Sequence, residues 1–305
     1  MKNDIRFLLT QSCNYNCYFC HHEGMYSCRS VTTEFSVQDY VTLYSVYSNM
    51  EGWNGVTLSG GEPLLFKDIL ELVKALHKEG AEITLVTNGY FLLEHMDVLK
   101  YLKRINISLH TTREADYNNI VQRKNVLGKV LKGLQIASEI FPNLKIRLNV
   151  TPTKSNNWSS DLLKELIEYA KQINASIKFT ELFPNTDDDC VSIASMEEEL
   201  TKLGYKEQPS YGRTRKFEKD ICIYLTQCTC SKAILTSDPI EYCRQNHDLY
   251  VNHTGHIMLC RLAEDGIDVL EDVKEKNLPI LQMKIQIAQR RISRKQCYKI
   301  LGITE

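Results

Sequence analysis

Six short strand-like runs separated by helical patterns fill the first 180 residues, and this alternation limits the folds open to the chain more than any other feature. The runs are DIRFLLT (4–10), GVTLS (55–59), AEITLVT (81–87), INISLH (105–110), LKIRLNVT (144–151) and ASIKFTE (175–181). Between them KDILELVKALHKEG (67–80) sets Ile69, Leu72, Val73 and Leu76 on one stripe and stops at Gly80. Further helices are expected at 36–50, 91–103, 126–140 and 160–173. Strands and helices in alternation make right-handed βαβ units and a parallel sheet, either doubly wound or a partial barrel.

The faces of the strands favour the barrel. In LKIRLNVT, Lys145, Arg147, Asn149 and Thr151 share one face and Ile146, Leu148 and Val150 the other; in INISLH, Asn106, Ser108 and His110 stand opposite Ile105, Ile107 and Leu109. A sheet covered by helices on both faces reads as continuous apolar runs. A closed barrel fills its interior with branched apolar side chains. A polar inner face therefore implies an incomplete α/β barrel that holds a large polar ligand. After Glu181 the pattern changes: PNTDDDC (184–190) is an acidic linker, DLYVNHTGHIMLC (248–260) reads as a hairpin turning at His253–Thr254–Gly255, and 268–296 is helical. Two domains are expected, 1–184 and 185–305.

Eleven cysteines are unevenly spread: Cys13, Cys17, Cys20 and Cys28 open the chain and the other seven follow residue 189. The short, charged start MKNDIRFLLT is no signal peptide and no run approaches a membrane span, so a cytoplasmic location is expected. A reducing compartment moves clustered cysteines toward metal binding or redox chemistry. Thirty-seven basic against thirty-eight acidic residues leave no basic footprint for nucleic acid. In QSCNYNCYFCHHEG (11–24) three cysteines fall within eight positions. Two chemistries compete: a zinc site with His21 or His22 as fourth ligand, or an iron–sulfur cubane with one open iron. The place, on the loop after the first strand, is where barrel enzymes put active sites.

C-x3-C-x2-C with Phe19 before the last cysteine, after the first strand of a (βα)6 series, resembles the radical S-adenosylmethionine (SAM) superfamily. SGGEP (59–63) after the second run, VTNG (86–89) at the end of the third and Ser108 on the fourth resemble its SAM-contacting positions. The resemblance implies a [4Fe–4S] cluster on Cys13, Cys17 and Cys20. SAM would be held by Phe19, Gly60, Gly61, Glu62, Thr87, Asn88, Ser108, Asn149 and Phe183. It also implies a small-molecule substrate such as a nucleotide or natural-product precursor, and an electron donor such as flavodoxin or ferredoxin. Neither nucleic acid nor membrane is an expected partner.

Within the superfamily, CHHEG (20–24), GGEPLLFKDI (60–69), RLNV (147–150) and TELFP (180–184) resemble, in order, the blocks of the GTP 3',8-cyclase (MoaA-like) branch of molybdenum-cofactor biosynthesis, with Arg6 and Arg147 at substrate-binding positions. Thr57 stands where that branch has a basic residue, HDL (247–249) replaces an arginine-rich run, and the chain ends LGITE rather than Gly-Gly. Arginine grips phosphate by bidentate charge-assisted bonds, so GTP is not the expected substrate. RTRK (213–216) reads as a solvated turn. Alternatives are the GTP cyclase itself, a maturase of a ribosomal peptide, and a non-catalytic iron–sulfur or zinc protein.

The spacing C-x11-G-x4-C between Cys243, Gly255 and Cys260 resembles the hairpin of twitch or SPASM auxiliary-cluster domains. Where the branch has a further cysteine this chain has Asn246. Read as a strand, ICIYLTQCTC (221–230) puts Cys222, Cys228 and Cys230 on one face, with adjacent same-face residues such as Cys228 and Cys230 about 6.6 Å apart. The expectation is an auxiliary [4Fe–4S] cluster held by Cys228, Cys230, Cys243 and Cys260, acting in electron transfer. Cys28, Cys190, Cys222 and Cys297 read as structural.

Overall fold

The structure, a computed structural model, describes residues 3–22, 35–155, 158–182, 189–210, 213–260, 262 and 266–301. Strands β1 (Ile5–Leu8), β2 (Gly55–Ser59), β3 (Glu82–Thr87), β4 (Arg104–Ser108), β5 (Lys145–Val150) and β6 (Ser176–Thr180) lie side by side and parallel in chain order. Helices α1 (Val37–Glu51), α2 (Ile69–Lys78), α3 (Glu114–Val121), α4 (Leu127–Ile140) and α5 (Ser160–Gln172) connect them. A capping box between Ser36 and Asp39 starts α1, and Gly52 ends it in the left-handed region. The expected helix at 91–103 is instead two 3₁₀ turns, Leu93–His95 and Val98–Tyr101. Here tertiary packing overrides propensity: Leu92, Val98, Leu99 and Leu102 are all buried. Gly133 of α4 approaches so closely that an added Cβ would lie 3.0 Å from Leu92.

Beyond β6 come α6 (Ile193–Lys202), β7 (Lys206–Gln208), β8 (Thr214–Glu218), β9 (Cys222–Thr226), α7 (Thr229–Ala233), α8 (Pro239–Asn246) and β10 (Leu249–Asn252). They are followed by β11 (His256–Met258), β12 (Gly266–Asp268), α9 (Leu270–Lys274), α10 (Leu278–Gln289) and α11 (Arg294–Leu301). These strands extend the same sheet at both edges, in the order β12-β11-β10-β1-β2-β3-β4-β5-β6-β9-β8-β7. The expected division near residue 184 therefore does not separate two sheets. The sheet stays open, a partial barrel. The hairpin is β10–β11, with Gly255 at φ +85° in its turn, where a Cβ would strike Leu270.

Register explains the two faces. Arg6 pairs with Thr57, Asn106 with Arg147, Ser108 with Asn149, Asn149 with Lys178, and Lys178 with Tyr224, so these side chains share the inner side. Their neighbours Ile5, Phe7, Val56, Leu58, Ile105, Ile107, Ile146, Leu148, Ile177 and Phe179 are buried in the core beneath the helices. Among the described residues no helix is long and apolar enough to cross a membrane.

Candidate active site

The C-terminal ends of the strands open into a cavity of ≈ 340 Å³. Cys13, Cys17, Cys20 and Phe19 line it from the loop after β1, Gly60 and Gly61 from the loop after β2, Thr87 and Asn88 from the end of β3, and Ser108 from β4. The loops are locked by backbone proximity. Gly61 N–H donates to Thr10 O at 2.7 Å and Glu62 N–H to Ser12 O at 2.8 Å. A Cβ on Gly61 would lie 2.3 Å from Ser12 O, so only glycine lets the second loop press against the cysteine-bearing first loop. Gly60, at φ +132°, is held 2.6 Å from Thr10 O by the same measure.

Glu62 ties the loops together. It is fully buried and does not line the cavity. Oε1 accepts from Thr87 Oγ1 (2.6 Å) and Leu64 N–H (3.0 Å), and Oε2 from Asn88 N–H (2.8 Å). Burial raises its carboxyl to about 7. Glu62 thus fastens the β2 loop to the end of β3, because its buried carboxylate accepts hydrogen bonds from both. Asn88 in turn donates to Asn14 Oδ1 at 2.7 Å and reaches Cys13 Sγ at 3.9 Å. Asn149 also stands outside the cavity lining, one strand behind, and its Oδ1 is buried with no hydrogen-bond partner. Phe183 and Cys28 lie outside the described residues.

Burial and the neighbouring Cys20 and Cys13 push the Cys17 thiol up to about 12, and burial raises Cys13. Ligation must therefore displace protons, which cationic iron does. Tyr15 N–H points at Cys13 Sγ and His22 N–H at Cys20 Sγ, each at 3.4 Å, the kind of N–H···S contact that tunes iron–sulfur centres. Among the described residues no three His, Cys, Asp or Glu side chains are grouped to hold a metal ion, whereas a cubane takes its thiolates at separate corners. Asn106 Oδ1, Asn149 Oδ1 and Glu181 Oε2 are buried and unpartnered inside the barrel, polar capacity that suits a polar ligand such as SAM. The three thiols and this polar interior fit the group.

Several cavity residues were not singled out as site residues from the sequence. Lys178, Glu181, His110, Arg213 and Tyr250 all line it. Lys178 was visible, alternating with Ile177 and Phe179 on the polar face of β6. Withdrawal from water, then the charges of Arg213, Arg147 and Arg6, lower its ammonium to about 7. Arg213 corrects the reading of RTRK as a solvated turn: it faces the cavity because β8 folds back on β9, while Arg215 turns outward to Glu197 and Glu207. Arg6 lines the cavity but is ion-paired with Asp248 at 2.9 Å and lies over the Tyr250 ring. Arg147 sits deeper, 4.7 Å above the Tyr224 ring, outside the cavity lining. His110, its edge toward Phe19, is lowered to about 4 by burial, which keeps it neutral.

The strand expected to carry part of the second cysteine group is shorter than its sequence pattern implied. ICIYLTQCTC is not one strand: β9 ends at Thr226, Cys228 is the residue before α7, and Cys230 lies within that helix. The helical turn sends the two thiols to different places. Cys228, 2% exposed, lines the first cavity. Cys230, Cys243, Cys260 and Cys297 line a second, smaller cavity with apolar walls including Ile240, Leu259 and Ile292. Tyr250 borders both cavities. Leu262 N–H points at Cys260 Sγ at 3.4 Å, repeating the contact seen at Cys13 and Cys20.

An open α/β barrel with a three-cysteine loop after its first strand and a Gly-Gly loop after its second is the frame of an enzyme built around an iron–sulfur cluster. Residues 7–166, more than half of the chain, match the Radical SAM superfamily, and the chain belongs to it. The family implies a SAM-binding [4Fe–4S] cluster. Relatives include a probable GTP 3',8-cyclase of Pyrobaculum aerophilum, 28% identical over 289 residues, covering 93% of this chain and 92% of the relative. The GTP 3',8-cyclase of Aquifex aeolicus is 27% identical over 283 residues, covering 90% and 86%. The fold is shared with Streptococcus suis SuiB bound to S-adenosylmethionine (TM-score 0.65, 14% identity, covering 100% of this chain and 70% of that one).

Proposed function

We propose that this radical SAM enzyme acts on a small anionic molecule, a nucleotide or a phosphorylated or carboxylated natural-product precursor. The observation that carries this is the cationic group Arg6, Arg147, Lys178 and Arg213 set into a barrel whose cavity also receives the cysteine loop. When bound at Cys13, Cys17 and Cys20, the cluster and SAM supply one-electron chemistry and a 5'-deoxyadenosyl radical. The chain's own residues do the rest: the basic group orients the anion, and Gly60, Gly61, Asn88 and Ser108 shape the SAM side. A small one-electron carrier protein is the proposed donor. Cys230, Cys243 and Cys260 are proposed to hold a second iron–sulfur cluster behind Tyr250.

GTP is set apart from this substrate. Thr57 is buried and donates to Asp4 Oδ2 at 2.9 Å, so it offers nothing to a phosphate, and Asp248 offsets much of the Arg6 charge. Anaerobic incubation with GTP, SAM and a strong reductant is expected to give 5'-deoxyadenosine without a cyclised nucleotide. Cyclised product at an ordinary enzymic turnover would overturn this.

Lys178 gives the anion site a pH signature. With its ammonium lowered to about 7, it is charged below that pH and neutral above, and a bound anion moves the window upward. The dissociation constant for inorganic sulfate, whose charge is constant across this range, followed by calorimetry, should rise roughly tenfold as pH increases from 6 toward 9, the loss of about one charge-assisted contact. Lys178→Arg should flatten the profile at tight binding, and Lys178→Met at weak binding. A flat profile in the unaltered enzyme would contradict the assignment.

A further inference from the structure

We infer that Cys297 is the fourth thiolate of the second cluster, completing a set with Cys230, Cys243 and Cys260, and that Cys228 belongs to the SAM cavity; this rests on the proposed presence of that cluster. Four separate elements each bring one thiol to the second cavity: α7 brings Cys230, α8 brings Cys243, the end of the hairpin brings Cys260, and α11 brings Cys297. Cys228 is absent from that lining and present in the other.

The C-terminal segment is constructed to deliver Cys297 there. Ser293 and Gln296 form a reciprocal cap: Ser293 N–H donates to Gln296 Oε1 at 3.0 Å and Gln296 N–H to Ser293 Oγ at 3.3 Å. Cys297 N–H then bonds Ser293 O at 2.9 Å, which fixes the cysteine in the first turn of α11. The reversal before it is pinned from the barrel side. Arg291 holds a left-handed φ of 61°, a strained choice for a residue with a side chain, while its Nη2 donates to His247 O (3.1 Å) and Asp248 O (2.8 Å) beside β10. α11 packs on α8, the helix of Cys243. His247 also lines the cavity, its ring edge-on to Tyr250, but thiolates are the better match for iron–sulfur chemistry.

Four thiolates leave no iron open, so the second cluster would pass electrons rather than bind substrate. The path is short in chain terms: Cys228 and Cys230 face the two cavities from one helix start, and Tyr250 borders both.

The test uses the full chain with Cys13, Cys17 and Cys20 replaced by alanine, so that only the second cluster reports. After anaerobic reconstitution this protein should hold about four irons and as many sulfides and show the paramagnetic signal of a reduced [4Fe–4S] cluster. Adding Cys297→Ala should lose the cluster or, on mild oxidation, leave it with about three irons and a three-iron signal. Cys228→Ala should keep about four irons and the unchanged signal. Cys297→Ala in the otherwise unaltered enzyme should still carry its first cluster, which separates ligand loss from misfolding. An unchanged signal in Cys297→Ala with loss in Cys228→Ala or His247→Ala would overturn the assignment. Absence of iron from the three-alanine protein itself would instead overturn the second cluster.

Discussion

Replacing Cys17 by alanine should abolish formation of 5'-deoxyadenosine and remove about four irons per chain. Burial and two neighbouring sulfurs push the Cys17 thiol up to about 12, so iron would be what draws it into the thiolate form. Two thiolates cannot hold a cubane at one edge while SAM occupies another iron, so the loss should exceed a thousandfold rather than be graded. Iron content, visible absorbance and product formation are read together. Retention of the full iron complement with normal SAM cleavage would remove the cysteine loop from the chemistry.

The second large effect is expected from a residue with no chemistry of its own. Gly61→Ala places a Cβ 2.3 Å from the Ser12 carbonyl, against backbone that cannot rotate away. The loop must retreat by roughly an ångström from the segment that leads into Cys13, and displacement of that size at a reacting centre costs on the order of a hundredfold in rate. SAM affinity and the rate of its cleavage should both fall while the thermal midpoint changes little, because the contact lies between loops outside the core. Gly128→Ala in α4 is the control. No atom lies within 4 Å of its added Cβ, and alanine raises helix propensity by about 1 kcal/mol, so stability should hold or rise with activity unchanged. Equal activity in Gly61→Ala and the control would show that the close approach of the two loops does not matter.

Most of the frame was legible because periodicity reports burial. The six strands fell within a residue or two of expectation, and the polar inner face could be read from Asn106, Ser108, Arg147 and Asn149. The cysteine loop and SGGEP could be placed because each follows a strand in a parallel sheet, where loops at the C-terminal ends converge. The 3₁₀ turns at 93–101 were not legible, since the approach of α4 at Gly133 decides them. The fastening role of Glu62 was equally hidden, because its partners Thr87 and Asn88 are 25 and 26 residues away.

What the sequence by itself determined is the class of fold, the three-cysteine loop with its Gly-Gly neighbour, and a polar barrel interior. These depend on local period and on residue type at short spacing. Only the tertiary structure decided which of the later cysteines stand together, which arginine of RTRK faces inward, and that Lys178 belongs to a basic group. Each of those depends on contacts between segments distant in the chain. Cys228 and Cys230 differ by two positions, and a helix beginning between them sends one to each cavity.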